Sequence, residues 1–168
     1  MGAWEMGCGQ THVDRAVSFL REQQNADGSW AADHDACKFQ STWAAVEGLR
    51  SVGIPRRDST LVKAAEWVQQ SEESAGGWSR DPFAASWAVM CLVATGHRNA
   101  ESTLRGVQYL LDSQKEDGSW GPPSRKSHEV DANDVSINPC VTTRTNVSST
   151  TYPVMALACF VRQAGGLS

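Results

Sequence analysis

The chain has 168 residues, of which 40% are hydrophobic and 20% are charged, a composition typical of one globular domain with its own core. Its formal net charge of −4 argues against binding to nucleic acid or to an anionic membrane surface. No apolar run approaches the roughly 18 residues of a membrane span, and the first residues lack the basic and apolar regions of a secretory signal. The five cysteines are an odd number without paired spacing, so we expect reduced thiols in a cytoplasmic protein.

Three blocks of the sequence superpose without gaps, and each ends in Gly-x-Trp. They are RAVSFLREQQNADGSW (15–30), KAAEWVQQSEESAGGW (63–78) and RGVQYLLDSQKEDGSW (105–120). The aligned aromatic residues are Phe19, Trp67 and Tyr109, and the aligned polar residues are Gln24, Glu72 and Gln114. A match of this length indicates internal repetition. We therefore predict a single domain, 1–168, with repeats at about 12–53, 60–96 and 102–165.

The first half of each block is predicted to be an amphipathic helix. Apolar residues at i, i+3, i+4 and i+7 form one stripe, as at Val13, Ala16, Val17 and Leu20, and again at Leu61, Ala64, Ala65 and Val68. An Asp-Gly-Ser or Ala-Gly-Gly sequence then ends the helix.

A second helix of different character is predicted after each Trp. These segments, STWAAVEGLRSVG, ASWAVMCLVATG and TTYPVMALACFVRQAGG, are apolar nearly all round, which indicates burial on both sides. Each opens with a Ser or Thr that we predict as N-cap and closes at a Gly, and Pro153 is predicted to lie in a first helical turn. The alternation predicts three helical hairpins with amphipathic helices outside and apolar helices inside.

The repeated pattern basic-small-x-x-aromatic-aliphatic-x-x-x-Gln-x-x-x-Gly-x-Trp resembles the QW motif of squalene-hopene and oxidosqualene cyclases. It is similar, less closely, to the repeats of protein prenyltransferase β subunits. The motif is complete in the first and third blocks, whereas the middle block has Glu72 at the Gln position. The resemblance implies an all-α fold of the α/α toroid type, in which the Gln and Trp fasten an outer helix to neighbouring backbone.

The resemblance also implies a barrel of about six hairpins, so three hairpins would form half of it. A half barrel leaves the apolar inner layer open at both ends. We therefore expect a homodimer in which two arcs close a ring around a twofold axis. A different partner chain, or a longer protein of which this is a part, is the alternative.

Class II terpene cyclisation is the chemistry that the resemblance implies, with a carboxylic acid protonating an alkene or epoxide in an apolar bore. The family signature is Asp-x-Asp-Asp leading into an inner helix, with the middle Asp as the acid. Asp33-His34-Asp35-Ala36 lacks the last acid and lies about six residues before the predicted inner helix. In Asp131-Ala132-Asn133-Asp134, an Asn stands at the position of the acid.

Carboxyls gathered at an apolar mouth raise one another's pKa, which would keep one of them protonated. We therefore predict Asp35 as the acid, with Asp33, Asp131 and Asp134 as the other catalytic carboxylates. Solvated acidic loops are the alternative. Residues 121–149, the longest departure from the repeat, are predicted to form a lid or to be disordered.

Aromatic residues recur at the second position of the inner segments, at Trp43, Trp87 and Tyr152. We predict that they line the bore and contact a hydrophobic substrate, because aromatic faces attract cations; core packing is the alternative. Glu47, the one acid within an inner segment, is a further candidate for the substrate site.

Three functions remain open from the sequence. The first is a small cyclase-like isomerase that acts on an isoprenoid or similar hydrophobic substrate without metal or cofactor. The second is a non-catalytic binding or assembly module of the same superfamily. The third is a zinc-dependent prenyl-group enzyme, because Asp35-Ala36-Cys37 resembles the Asp-x-Cys pair of protein prenyltransferases and His128 could complete a site. An acid in an enclosed apolar cavity favours the first, and a bore filled by side chains favours the second.

Overall fold

The computed structural model describes residues 8–31, 35–73, 77–79, 81–120 and 146–164. Within these ranges the chain forms six helices and no strand: α1 Cys8–Glu22, α2 Asp35–Ser51, α3 Ser59–Gln70, α4 Pro82–Ala94, α5 Glu101–Asp112 and α6 Asn146–Ala164. Consecutive helices pair as hairpin 1 (α1 and α2), hairpin 2 (α3 and α4) and hairpin 3 (α5 and α6). The predicted all-α fold of the α/α toroid type is confirmed.

The helices form two layers, with α4 at the centre. This helix packs against α2 and α6 in the inner layer and against α3 and α5 in the outer layer. The outer helix α3 buries one stripe, comprising Thr60, Leu61, Ala64, Ala65 and Val68. By contrast, every residue of α4 from Phe83 to Ala94 is buried. The predicted alternation of amphipathic and apolar helices is therefore confirmed for this part of the arc.

The inner helices begin earlier than the apolar pattern indicates. Helix α2 begins at Asp35, six residues before the predicted start at Ser41, and α6 begins at Asn146. The predicted Ser and Thr caps are therefore wrong. Helix α4 is capped by Asp81, whose carboxylate accepts a hydrogen bond from the Phe83 N–H at 3.1 Å. Pro82 occupies the first turn, where the N–H that it lacks has no helical partner in any case.

Pro153 lies well inside α6 and not in its first turn as predicted, because the helix begins at Asn146. The predicted glycine stops of α2 and α4 are confirmed. Gly53 and Gly96 have φ values of 90° and 95°, which disfavour other residues. The chain then turns away from each helix at its glycine.

The three repeat tryptophans make the same hydrogen bond. Each indole Nε1–H donates at 2.8 Å to the carbonyl ten residues earlier, from Trp30 to Leu20, Trp78 to Val68 and Trp120 to Leu110. All three side chains are buried. Each tryptophan therefore fastens the turn of its hairpin to the end of the outer helix, and the predicted structural role is confirmed.

The aligned polar residues join one hairpin to the next. The Gln24 side-chain amide donates to the Gly28 carbonyl at 2.9 Å and, across to hairpin 2, to the Thr60 carbonyl at 2.8 Å. Glu72 takes the same position in hairpin 2 and accepts two hydrogen bonds of 2.8 Å from the guanidinium of Arg105 on α5. The departure from Gln in the middle repeat is thus explained, because a carboxylate pairs with Arg105 in a bidentate manner.

Two helical glycines give opposite predictions for substitution by alanine. A Cβ on Gly106 would lie 2.7 Å from Trp78 Cζ3 and 2.8 Å from Val89 Cγ2, whereas on Gly48 its nearest neighbour would be Leu20 Cδ1 at 4.0 Å. Overpacking costs roughly 1–3 kcal/mol, so Gly106→Ala should lower the free energy of unfolding despite the better helix propensity. Gly48→Ala should raise it by about 0.5–1 kcal/mol.

Chemical denaturation of both variants measures this difference. The two substitutions make the same chemical change in a helix, so Gly48→Ala is the control for Gly106→Ala. Equal stability of the two variants would contradict the close approach of α5 to Trp78 and Val89.

Candidate functional site

An aromatic cluster lies between the start of the inner helix α4 and the second turn of the inner helix α6. The ring of Trp87 is 5.8 Å from that of Phe83 and 5.3 Å from that of Tyr152, measured between centroids, and Phe83 and Tyr152 are 5.7 Å apart. The tilted and edge-on arrangements are favourable for aromatic pairs. Two of the three predicted substrate-contacting aromatics, Trp87 and Tyr152, therefore lie in direct contact.

Phe83 was missed by the sequence reasoning, although a signal for it exists. It precedes Trp87 by four residues, as Phe39 precedes Trp43, so the same pair recurs on one face of α4 and α2. Phe39 is not part of the cluster but packs on Trp67 of α3, with ring centroids 4.9 Å apart. The aligned residues Phe39 and Phe83 thus belong to different aromatic contacts.

Within the part of the chain that the structure describes, no face of α4 is exposed to an open bore. Each residue from Phe83 to Ala94 is buried, and a water-sized cavity beside the helix would leave some of them exposed. Trp87, at 3% exposure, is held within packed side chains, while Trp43 and Tyr152 are half-buried and pack against the core. Contact of these three residues with a substrate stays a prediction.

One polar atom in the aromatic cluster is not explained by packing. The indole Nε1–H of Trp87 is buried and has no hydrogen-bond partner within the described ranges; the same holds for the Ser149 hydroxyl on α6. A buried donor without a partner costs about 1–3 kcal/mol. The cluster therefore contains one donor, the Trp87 indole N–H, that a polar group introduced there could satisfy.

Glu47 lies on an exposed part of α2 that is near α6. Burial, with a contribution from the Glu47 carboxylate, raises the pKa of the Cys159 thiol on α6, and Arg162 opposes that effect. Cys91, which aligns with Glu47 on α4, is fully buried, and burial raises its pKa to about 12. Glu47 is thus an exposed acid on α2, and its part in substrate binding stays a prediction.

The predicted acid Asp35 is the first residue of α2. The expected gap of about six residues between the acidic segment and the inner helix is therefore wrong, and this segment runs directly into the helix. The other predicted carboxylates Asp33, Asp131 and Asp134 lie outside the described residues, as does most of the predicted lid, 121–149. At a helix N-terminus the backbone N–H groups favour a carboxylate.

Of the three residues predicted for a zinc site, two lie within the described ranges. Asp35 and Cys37 both fall in the first turn of α2, while His128 lies outside the described residues. In the part of the chain that the structure describes, no three His, Cys, Asp or Glu residues come together as a metal site would require. None of the described helices is long and apolar enough to cross a membrane.

The family that this chain matches agrees with the repeat identified from the hydrogen bonds of the Gly-x-Trp turns. Residues 1–161 match the family described as squalene-hopene cyclase C-terminal domain. The chain belongs to this family. Members of the squalene-hopene cyclase family thus share the fold type found here, and the tryptophan and glutamine contacts described above are the QW contacts of this member.

Individual relatives are larger than this chain. It is 31% identical over 126 residues to the squalene-hopene cyclase of Bradyrhizobium diazoefficiens and 35% identical over 127 residues to that of Alicyclobacillus acidocaldarius. It is 29% identical over 128 residues to lanosterol synthase of Homo sapiens. These matches cover 64 to 66% of this chain and 18 to 20% of the relatives. The chain therefore spans about a fifth of the length of the cyclases it matches.

Proposed function

We propose that this chain supplies three hairpins of a cyclase-type barrel in which an isoprenoid or similar apolar substrate is cyclised or isomerised. The observation on which this proposal rests is that an inner helix begins at Asp35, two residues after Asp33 in the sequence, in a chain of the squalene-hopene cyclase family. An acidic residue at the mouth of an apolar inner layer is where a proton can be delivered to an alkene.

The proposed reaction is a proton addition followed by a proton loss. Asp35 donates its proton to one alkene carbon, the cation formed on the other carbon closes a ring or migrates, and a carboxylate removes a proton from the product cation. The product is an isomer of the substrate, so neither an oxidant nor a redox cofactor takes part. The N-terminus of α2 stabilises the carboxylate that Asp35 becomes after donation, by about 0.3–1 kcal/mol. A second carboxylate close to Asp35 would favour the protonated form before donation, and Asp33, two residues earlier in the sequence, is proposed for this role.

The barrel is proposed to close by association of two copies in a cytoplasmic homodimer. Large apolar side chains are exposed at both ends of the arc; they are Phe19 on α1, Leu104 and Leu111 on α5, and Val154, Met155 and Val161 on α6. Burying them would remove a substantial apolar surface from water. A reducing compartment suits Cys91 and Cys159, which are free thiols.

Closure by two copies predicts a solution mass of twice that of one chain. Sedimentation equilibrium of the purified protein across micromolar concentrations measures the mass directly. The melting temperature should also rise with protein concentration, because dissociation accompanies unfolding. A well-folded monomer with a concentration-independent melting temperature would contradict the homodimer.

Turnover in heavy water tests the proposed chemistry. Squalene, named in the cyclases to which the chain is similar, and shorter linear polyprenes are incubated with the full chain in detergent micelles prepared in D₂O. We expect products that are isomers of the substrate and contain one solvent-derived deuterium each, detected by mass spectrometry. Recovery of all substrates unchanged by a correctly folded dimer would contradict the proposal.

A non-catalytic binding or assembly module is the second candidate. The dense packing around α4 favours it, because no space for a substrate borders Trp87 or its neighbours from Phe83 to Ala94. If this candidate is right, no deuterated product forms. An apolar polyprene then either binds saturably and is recovered unchanged, or does not bind. The same heavy-water assay therefore separates the two candidates.

A further inference from the structure

We infer that, in the proposed ring, hairpin 3 of one copy receives α1 of the second copy with Gln114 opposite Arg15, as Glu72 lies opposite Arg105 within each chain. This inference rests on the proposed closure by two copies and specifies which surfaces meet. Its basis is a comparison of residues at aligned positions, which contact a neighbouring hairpin in one repeat and, among the described residues, do not in another.

The first step concerns the position of the motif glutamine. Gln24 contacts the Thr60 carbonyl on hairpin 2, and Glu72 contacts Arg105 on hairpin 3. Gln114 is exposed and donates to the Gly118 carbonyl of its own turn at 3.0 Å. Among the described residues it has no hydrogen bond to a further hairpin. In two of the three repeats the residue at this position contacts the next hairpin. Gln114 therefore indicates where a further hairpin would lie.

The second step concerns the apolar face of α6. Val89 on α4 faces the next hairpin, since a Cβ on Gly106 of α5 would lie 2.8 Å from its Cγ2 atom. Val89 is 0% exposed, but Val154, which aligns with it on α6, is 51% exposed. Likewise Met90 is buried, while the aligned Met155 is exposed. On α4 these positions are buried, and Val89 contacts the next hairpin. The equivalent face of α6, with Val154 and Met155, is exposed.

The third step concerns the opposite end of the arc. Trp67 on α3 packs on Phe39 of the preceding hairpin, whereas the aligned Phe19 on α1 is 60% exposed. Arg15, also exposed, aligns with the Arg105 that binds Glu72. In α3 the aromatic residue, and in α5 the basic residue, contacts the preceding hairpin. Helix α1 has both residue types at the same positions. One chain contains both halves of the contact, so a second copy has the surface that hairpin 3 would receive, and we propose it as the occupant.

Charge changes at these two positions test the inference. Gln114→Glu would recreate the pair that Glu72 forms with Arg105, and one exposed pair strengthens binding up to about fivefold. A closed ring of two copies contains this contact twice, so the dimer dissociation constant should fall up to about 25-fold. Gln114→Arg should raise it comparably through repulsion from Arg15 of the second copy. Both effects should weaken at high salt.

Gln70→Glu is the matched control, because it makes the same change at an exposed position on α3, outside both of the surfaces that are proposed to meet. It should leave the dissociation constant unchanged. A mixture of Gln114→Arg chains with Arg15→Glu chains should form mixed dimers above the statistical half, as counted by native mass spectrometry. Circular dichroism of each variant verifies that its helices are intact.

The outcomes separate this inference from the proposal on which it rests. A dimer whose dissociation constant ignores both Gln114 and Arg15 overturns the assigned surfaces while closure by two copies stands. A chain that stays monomeric at all concentrations, Gln114→Glu included, overturns both. The deuterium assay on the dimer tests the catalytic proposal independently of either result.

Discussion

Asp35→Asn is expected to lower turnover by roughly 100-fold or more while the melting temperature stays unchanged. The amide has nearly the size of the carboxylic acid and can still accept hydrogen bonds at the start of α2, but it has no acidic proton to donate. Asn and Asp also have nearly equal helix propensities, so the helix that begins at residue 35 is expected to be retained. The formation rate of deuterated isomer from squalene or a shorter polyprene in D₂O measures the effect.

Asp112→Asn provides the control for this substitution. Asp112 is the last residue of α5, is exposed, and accepts a hydrogen bond from Gln108 on the same helix, far in sequence from the acidic segment. It should keep wild-type turnover. If Asp35→Asn also turns over at the wild-type rate, Asp35 is not the acid. Glu47 or the Asp131 and Asp134 pair would then be the next candidates.

The hairpin repeat could be predicted because its causes are local. Helical periodicity fixes the buried stripe of α3, and the Gly-x-Trp turn repeats one indole-to-carbonyl hydrogen bond in all three hairpins. The starts of α2 and α6 could not be found from hydrophobicity, because their first turns contain polar residues such as Lys38 in α2 and Asn146 in α6. For α4 a better signal was present in Asp81 and Pro82, a capping carboxylate followed by the residue favoured in a first turn.

The candidate site was less predictable because it depends on packing between helices distant in sequence. Alignment of Trp43, Trp87 and Tyr152 suggested a ring of equivalent aromatics, but Trp87 is within a packed cluster and the other two are half-buried. An inner helix that has neighbours on every side buries all its residues, whatever their motif position. The same reasoning explains why Glu47, at the edge of the arc, is exposed while the aligned Cys91 is not.

Trp78→Ala is expected to lower the free energy of unfolding by about 3–5 kcal/mol, because a large buried side chain is replaced by a cavity. Trp78 is 0% exposed and lies beside Gly106 of α5, so its removal affects the contact between two hairpins as well as its own turn. Trp120→Ala should cost a similar amount, since Trp120 is also buried and makes the same hydrogen bond. Chemical denaturation followed by circular dichroism measures both.

Trp78→Phe separates the two contributions of the indole. Phenylalanine keeps most of the apolar volume but loses the N–H that donates to the Val68 carbonyl at 2.8 Å. Its cost should therefore be smaller, about 1–2 kcal/mol, from one hydrogen bond and the buried carbonyl left without its side-chain donor. A Trp78→Ala or Trp120→Ala protein that melts like wild type but has lost turnover would contradict the structural role, and the tryptophan would then belong to the reaction site. If the indole fastens the hairpin, Trp78→Ala should lose more stability than Trp78→Phe. The folded fraction of each variant should retain its turnover.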